Sequence, residues 1–237
     1  LADRDIYVSL EEGKLKVNFQ NSVEDSLIER IKLNKTNLIE YLSIKDSGHK
    51  TIPLAKKNVS YTLSSSQRRL WILSQFDEAN KAYNMPGVYV FNGTLDHPAF
   101  LKAFSSLIER HEILRTVFKE DKDGEVSQFI KTESAFGFEL AYTDLRKSSA
   151  IEQELNQLIS SDHSKAFDLA DGPLLRASLF QTDNETWVFS YVMHHIISDG
   201  WSMGILVSEL MRLYNSYTLG LANPLTPLKL QYKDYAA

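Results

Sequence analysis

The chain has 237 residues, no cysteine, and 26 Lys plus Arg against 31 Asp plus Glu, for a formal net charge of −5. These counts exclude disulfides, thiolate metal sites and a cysteine nucleophile, and the acidic balance argues against a general nucleic-acid surface. A hydrophobic content of 43% suits a globular core; no apolar run reaches bilayer-spanning length, and the mixed charges of Leu1 to Asp5 are not those of a signal peptide.

From the N-terminus, Ile6, Val8 and Leu10 alternate with polar residues, and Leu15, Val17 and Phe19 do the same after Glu12-Gly13. Two alternating runs around a Gly-containing turn predict a β-hairpin. Ser22 and Asp25 then resemble a capping box, and Leu27, Ile31, Leu38 and Leu42 fall on one helical face. A hairpin with a single amphipathic helix buries little by itself, so a further helix, a second copy or a partner is expected. The stretch from Ser43 to Tyr61 lacks sustained periodicity, carries Gly48, Pro53 and Lys56-Lys57, and reads as a connector.

Ser64 and Gln67 form an S-x-x-Q capping box that opens a helix through Phe76. Tyr83-Asn84-Met85-Pro86 is expected to break the chain before a strand at Val88–Phe91. Asp96 caps a helix with apolar face Phe100, Phe104, Leu107 and Ile108, which runs into Arg110–Phe118. A hairpin from Val117 to Ile130 turns at Asp123-Gly124, and a short strand is expected at Phe138–Tyr142. Ile151, Leu155, Leu158 and Ile159 mark a helix, and Asp171-Gly172-Pro173 stops the chain. Leu174–Phe180 and Trp187–Val192 read as antiparallel strands joined around Asp183-Asn184. A helix with Leu206, Leu210, Leu213 and Tyr217 follows, then three segments broken by Pro224 and Pro227. Helices mixed with mostly antiparallel strands predict an α+β layer architecture.

The chemistry gathers at His194-His195-Ile196-Ile197-Ser198-Asp199-Gly200, where the second of those strands gives way to the helix. Neutral imidazole takes a proton or holds a nucleophile near neutral pH. Adjacent residues at a strand end point to opposite sides, so one histidine at most faces a given cleft. Asp199 suits either a helix cap or a cation, and Gly200 permits a tight turn. No metal is expected, because His-His-x-x-x-Asp lacks the i, i+4 histidine pair of a helical zinc site and no cysteine completes a set. Read alone, the stretch fits best a hydrogen-bonded histidine pair followed by a helix cap.

Its context points further. His194 to Ser202 resembles the HHxxxDG signature of condensation domains in nonribosomal peptide synthetases. Ser64 to Trp71 is similar to that family's SxAQxRLW, with Ser66 in place of Ala, and Arg110 to Phe118 matches RHExLRTxF. Tyr232-Lys233-Asp234-Tyr235-Ala236 begins the YxDFAxW pattern, and Ala82 to Pro86 is also similar to the family. Four ordered motifs are far more specific than an isolated HxxxD. The resemblance implies the N-terminal lobe of a chloramphenicol-acetyltransferase-like α/β sandwich over residues 61–237. Carrier proteins would bring donor and acceptor on phosphopantetheine arms, and no cofactor would be bound by the chain itself. It implies that His195 is catalytic, either taking a proton from the attacking amine or positioning that amine. His194, Arg110 and Arg115 are implied as structural, Asp199 as a scaffold pairing with an Arg of the second lobe, and the Gly200 N–H as a donor to the thioester oxygen. The resemblance further implies that the C-terminal lobe is absent, so that the chain alone is inactive.

Residues 1–43 resemble the TubC-like N-terminal docking domains of such synthetases, with Lys35 as their central lysine and the first helix largely missing. That implies a hairpin, Leu15, Lys16, Val17, Asn18 and Phe19 included, that receives a C-terminal docking peptide of an upstream synthetase protein by strand addition. Residues 44–60 would be the linker, and the location cytoplasmic, in a bacterium. The competing expectations are another acyltransferase or an epimerisation domain on the same fold, or a non-catalytic docking and recognition module.

Overall fold

The computed structural model describes residues 6–11, 14–19, 25–39 and 52–237. The chain divides into two compact units, Leu1–Pro53 and Leu54–Ala237. In the first, strands β1 (Ile6–Glu11) and β2 (Lys14–Phe19) pair antiparallel, with Val8 opposite Val17 and Glu11 opposite Lys14. The expected turn residues Glu12-Gly13, and Ser22 of the expected capping box, lie outside the described residues. Helix α1 (Asp25–Leu33) buries Ile31. The helix expected to run unbroken from Leu27 to Leu42 is interrupted at Asn34 and resumes over 35–39, with Leu42 outside the described residues. The Asn34 side-chain amide donates to the Arg30 carbonyl (2.9 Å), a local bond that competes with regular helix geometry.

The second unit is organised on a four-stranded sheet in the order β4 (Asn84–Asn92), β9 (Thr186–His194), β8 (Leu175–Asp183), β7 (Ala141–Asp144). One face carries Phe189, Tyr191 and Met193 against helices α4 (His97–Arg110) and α7 (Gly200–Thr218), which contribute Phe100, Phe104, Leu107, Leu206, Leu210 and Leu213. The opposite face carries Phe180 and Val188 against Ile151, Leu155 and Ile159 of α6 (Ile151–His163). Each β9 residue therefore belongs to one layer or the other by the period of two. A smaller sheet orders β3 (Tyr61–Thr62), β6 (Val126–Ile130) and β5 (Thr116–Glu120). Helices α2 (Ser65–Ser74), α3 (Asp77–Ala82), α5 (Glu133–Phe136) and α8 (Tyr232–Ala236) complete the unit.

Three expectations are corrected. Asn84-Met85-Pro86 does not break the chain but opens β4, with Pro86 opposite Val192. Proline is tolerated because β4 is an edge strand of this sheet, where a missing N–H costs no ladder bond. The strand expected at Phe138–Tyr142 begins only at Ala141 and pairs parallel to β8, while Phe136 and Leu140 are buried in the segments before it. The closing segment is partly helical: Asp234 accepts the Gln231 N–H (2.7 Å) to start α8.

Candidate active site

A cleft of about 390 Å³ opens where α2, the end of α4, the β9–α7 corner and residues 228–232 meet. Its lining includes Gln67, His111, His195, Asp199, Ser202 and Tyr232. The corner is built by backbone bonds. The His194 N–H donates to the Leu174 carbonyl (3.0 Å), the His195 N–H to the Tyr83 carbonyl (2.9 Å), and the Ile197 N–H closes a turn on the His194 carbonyl (3.1 Å).

The two histidines separate as the strand period requires. His194 is completely buried, beside the rings of Phe167 and Tyr83. Its Nδ1 accepts the Ile196 N–H at 3.1 Å, which assigns the proton of the neutral ring to Nε2. Burial, reinforced by the neighbouring His195, pushes its pKa down to about 4. His194 is thus a neutral brace inside the turn at physiological pH. His195 is exposed on the cleft side.

Asp199 is the N-cap of α7. Its carboxylate accepts the Ser202 N–H (2.7 Å) and the Ser202 hydroxyl (2.6 Å), and the hydroxyl bond followed by the N–H bond holds its pKa below the usual carboxylate value. Gly200 is the first residue of that helix, and a Cβ built there meets nothing within 4 Å.

Arg110 and His111 clamp α7 from the end of α4. Arg110 donates to both Glu209 oxygens (3.0 and 3.1 Å) and to the Thr226 carbonyl, and His111 Nε2 lies 2.6 Å from Glu209 Oε2. Burial pushes the Glu209 carboxyl up, but the Arg110 and His111 hydrogen bonds outweigh it and hold the pKa below its ordinary value. Arg115 faces away from this cluster, donating to the Lys131 carbonyl and lying 4.0 Å from Glu112. In the hairpin unit, Leu15 and Val17 are half-buried and Lys16 is exposed, while Asn18 and Phe19 pair through their backbones with Tyr7 and Ile6.

Sequence reasoning brought His195, Asp199, Gly200 and Arg110 into one neighbourhood but missed three contributors. Glu209 is a charge on the same helix as Leu206, Leu210 and Leu213, a polar interruption of an apolar face that signals a buried partner. His111 lies inside the RHExLRTxF match and Gln67 inside the SxAQxRLW-like stretch, neither standing out there as a site residue.

Fold and site define a mixed α/β lobe whose central strand delivers an exposed histidine to a cleft. The Condensation domain family matches residues 57–237. A linear gramicidin synthase protein from Brevibacillus parabrevis is 41% identical over 202 residues, covering 84% of this chain and 4% of that protein. Malpibaldin synthetase from Mortierella alpina is 40% identical over 196 residues, covering 83% and 4%. Among solved structures, the X-domain from teicoplanin biosynthesis superposes with a TM-score of 0.67 at 26% identity, covering 78% of this chain and 39% of that one. The starter condensation domain of rhizomide synthetase gives 0.65 at 22%, covering 71% and 40%. The chain belongs to the Condensation domain family of nonribosomal peptide synthetases. It spans about 4% of the length of these two curated relatives.

Proposed function

We propose that this chain supplies one wall of an amide-forming condensation site, with His195 as its catalytic residue. The observation that carries the reading is the division at the β9 end: His194 locked and neutral inside the turn, His195 exposed in the cleft. In the reaction, the amine of an acceptor thioester attacks the carbonyl of a donor thioester. A C–N bond forms, the C–S bond breaks, and the donor arm leaves as a thiol that takes up the proton lost by the amine. His195 either accepts that proton on the way or holds the amine by a hydrogen bond. The Gly200 N–H, at the first turn of α7, is among the donors a helix start leaves without intrahelical partners and suits a developing oxyanion. Asp199, through Ser202, sets the start of that helix, and Arg110 fixes its middle through Glu209.

Both thioesters arrive on the phosphopantetheine arms of carrier proteins, and the opposite wall of the site belongs to a second lobe. Support comes from the solved structures, of which this chain covers 39% and 40%. The chain alone is therefore proposed to be inactive; dipeptidyl product formed by it from two loaded carrier proteins would overturn that. The β1–β2 hairpin is proposed to be a TubC-like docking element for the C-terminal peptide of an upstream synthetase protein, taken up along a strand edge.

The test is His195→Ala in the intact synthetase. Product is expected to fall while upstream-peptide binding persists. Undiminished product would refute the catalytic assignment and leave a recognition module.

A further inference from the structure

One buried polar group in the cleft has no partner among the described residues. Gln67 is 1% exposed and lines the cleft with His195. Its Oε1 accepts the Ser64 N–H at 3.0 Å, and its own N–H donates to Ser64 Oγ at 3.2 Å. That reciprocal capping box fixes which way the amide points. Nε2 is thereby left as a donor, buried and without a hydrogen-bond partner. Leaving such a group unpaired costs the desolvation of a donor with no bond in return. A helix cap needs only the oxygen; a Glu at this position would serve the capping box equally well. The choice of an amide leaves a donor that the fold does not use.

We propose that the Gln67 side-chain N–H binds a carbonyl oxygen of the pantetheine-borne substrate and positions it in the cleft beside His195. The inference rests on the condensation reading. The ligand chemistry is an uncharged carbonyl acceptor: its two sources are the thioester carbonyl and an amide carbonyl of the pantetheine arm. A carboxylate is a poorer fit to the cleft, because Asp199 places a negative charge in its lining.

Two measurements test it. In the first, the full chain is titrated with the thioester S-acetyl-N-acetylcysteamine, and with N-acetylcysteamine itself, which carries the amide but no thioester. The Gln67 side-chain amide resonance is followed by 15N-edited NMR. A saturable shift with both probes assigns the amide carbonyl; a shift with the thioester only assigns the thioester carbonyl. No shift with either overturns the proposal.

The second uses the intact synthetase. Gln67→Glu keeps the acceptor for the Ser64 N–H and removes the amide donor. Gln67→Met removes both, and Ser64→Ala breaks the box while keeping the donor. The expected result is a loss of roughly tenfold in kcat/KM for the two Gln67 variants, from a missing bond to a buried group. Ser64→Ala should lower the melting temperature with kcat/KM within about twofold of wild type, because the Ser64 backbone N–H still holds Gln67 Oε1 in place. Wild-type kcat/KM in Gln67→Glu would overturn the proposal, as would losses in all three variants that simply follow stability. If the NMR shift appears while His195→Ala leaves product unchanged, the carbonyl site stands and the condensation reading fails.

Discussion

The two units of this chain are stabilised in different ways. The Leu54–Ala237 unit packs helices on both faces of a sheet and pins its cleft with long-range ion pairs, such as Arg110 with Glu209. In the hairpin unit Ile31 is buried, while Leu33 on the same helix stands 87% exposed. A two-stranded ribbon is marginal alone. The larger unit holds its site between packed layers, whereas the docking role proposed for the smaller one rests on backbone pairing along its ribbon. Substitutions should accordingly separate into those that alter chemistry or lobe stability and those that alter association.

The sharpest separation is expected from His195→Ala. Product formation in the intact synthetase should drop about 100-fold or more, the usual scale for losing an acid–base or positioning imidazole. The lobe's unfolding midpoint should stay put, as checked by denaturant titration. Next is Arg110→Ala, which leaves Glu209 half-satisfied at a site where both side chains are largely buried. A loss of about 3 kcal/mol in lobe stability is expected by analogy with other broken buried pairs, with upstream-peptide affinity unchanged. A comparable loss in peptide affinity would erase the contrast between the units.

His194 gives a pH signature of similar size. Its folded pKa, about 4, lies below the ordinary histidine value of 6.5, so between those values the unfolded chain binds the extra proton. Lobe stability should be full above about pH 6.5 and fall as the pH drops toward 4, by on the order of 3 kcal/mol. His194→Asn keeps an acceptor for the Ile196 N–H and removes its titration, so the fall should shrink to what His163, whose pKa burial also lowers, contributes. A smaller effect is expected from Asp199→Ala, about 1 kcal/mol for the loss of a helix cap, read as a modest shift in unfolding midpoint. The mirror experiment is Val17→Asp in the hairpin. Binding of the upstream C-terminal peptide, followed by calorimetry, should weaken, while lobe stability stays within about 0.5 kcal/mol, as for a substitution remote from the lobe's core.

Much of the lobe was legible because local rules agreed with the fold. The Ser64–Gln67 box, the Asp96 cap and the β8–β9 pair all stand where their sequence signals lie. What escaped was set by distant partners. Phe138 and Leu140 made the segment before β7 look strand-like, but they pack on the core while β7 takes its place from parallel pairing with β8. The five residues of α8 carry too short a period to read, and the helix is held from far away, with Asp234 accepting the Ala55 N–H at 2.9 Å. The candidate site divides likewise. His195 and Asp199 follow from a strand-to-helix junction, whereas Glu209 becomes meaningful only once Arg110, 99 residues earlier, is seen against it.

That Asp234 contact is one of three stitches. Thr62 donates to the Ala236 carbonyl, and the Ser64 hydroxyl meets the Tyr232 hydroxyl at 3.0 Å. The first and last segments of the Leu54–Ala237 unit are thus sewn together, and the same stitching reaches the capping box of Gln67 on the floor of the cleft. Mechanically, the lobe is a loop drawn shut at its neck. A force pulling residues 55 and 236 apart would load these three bonds before it reached the sheet.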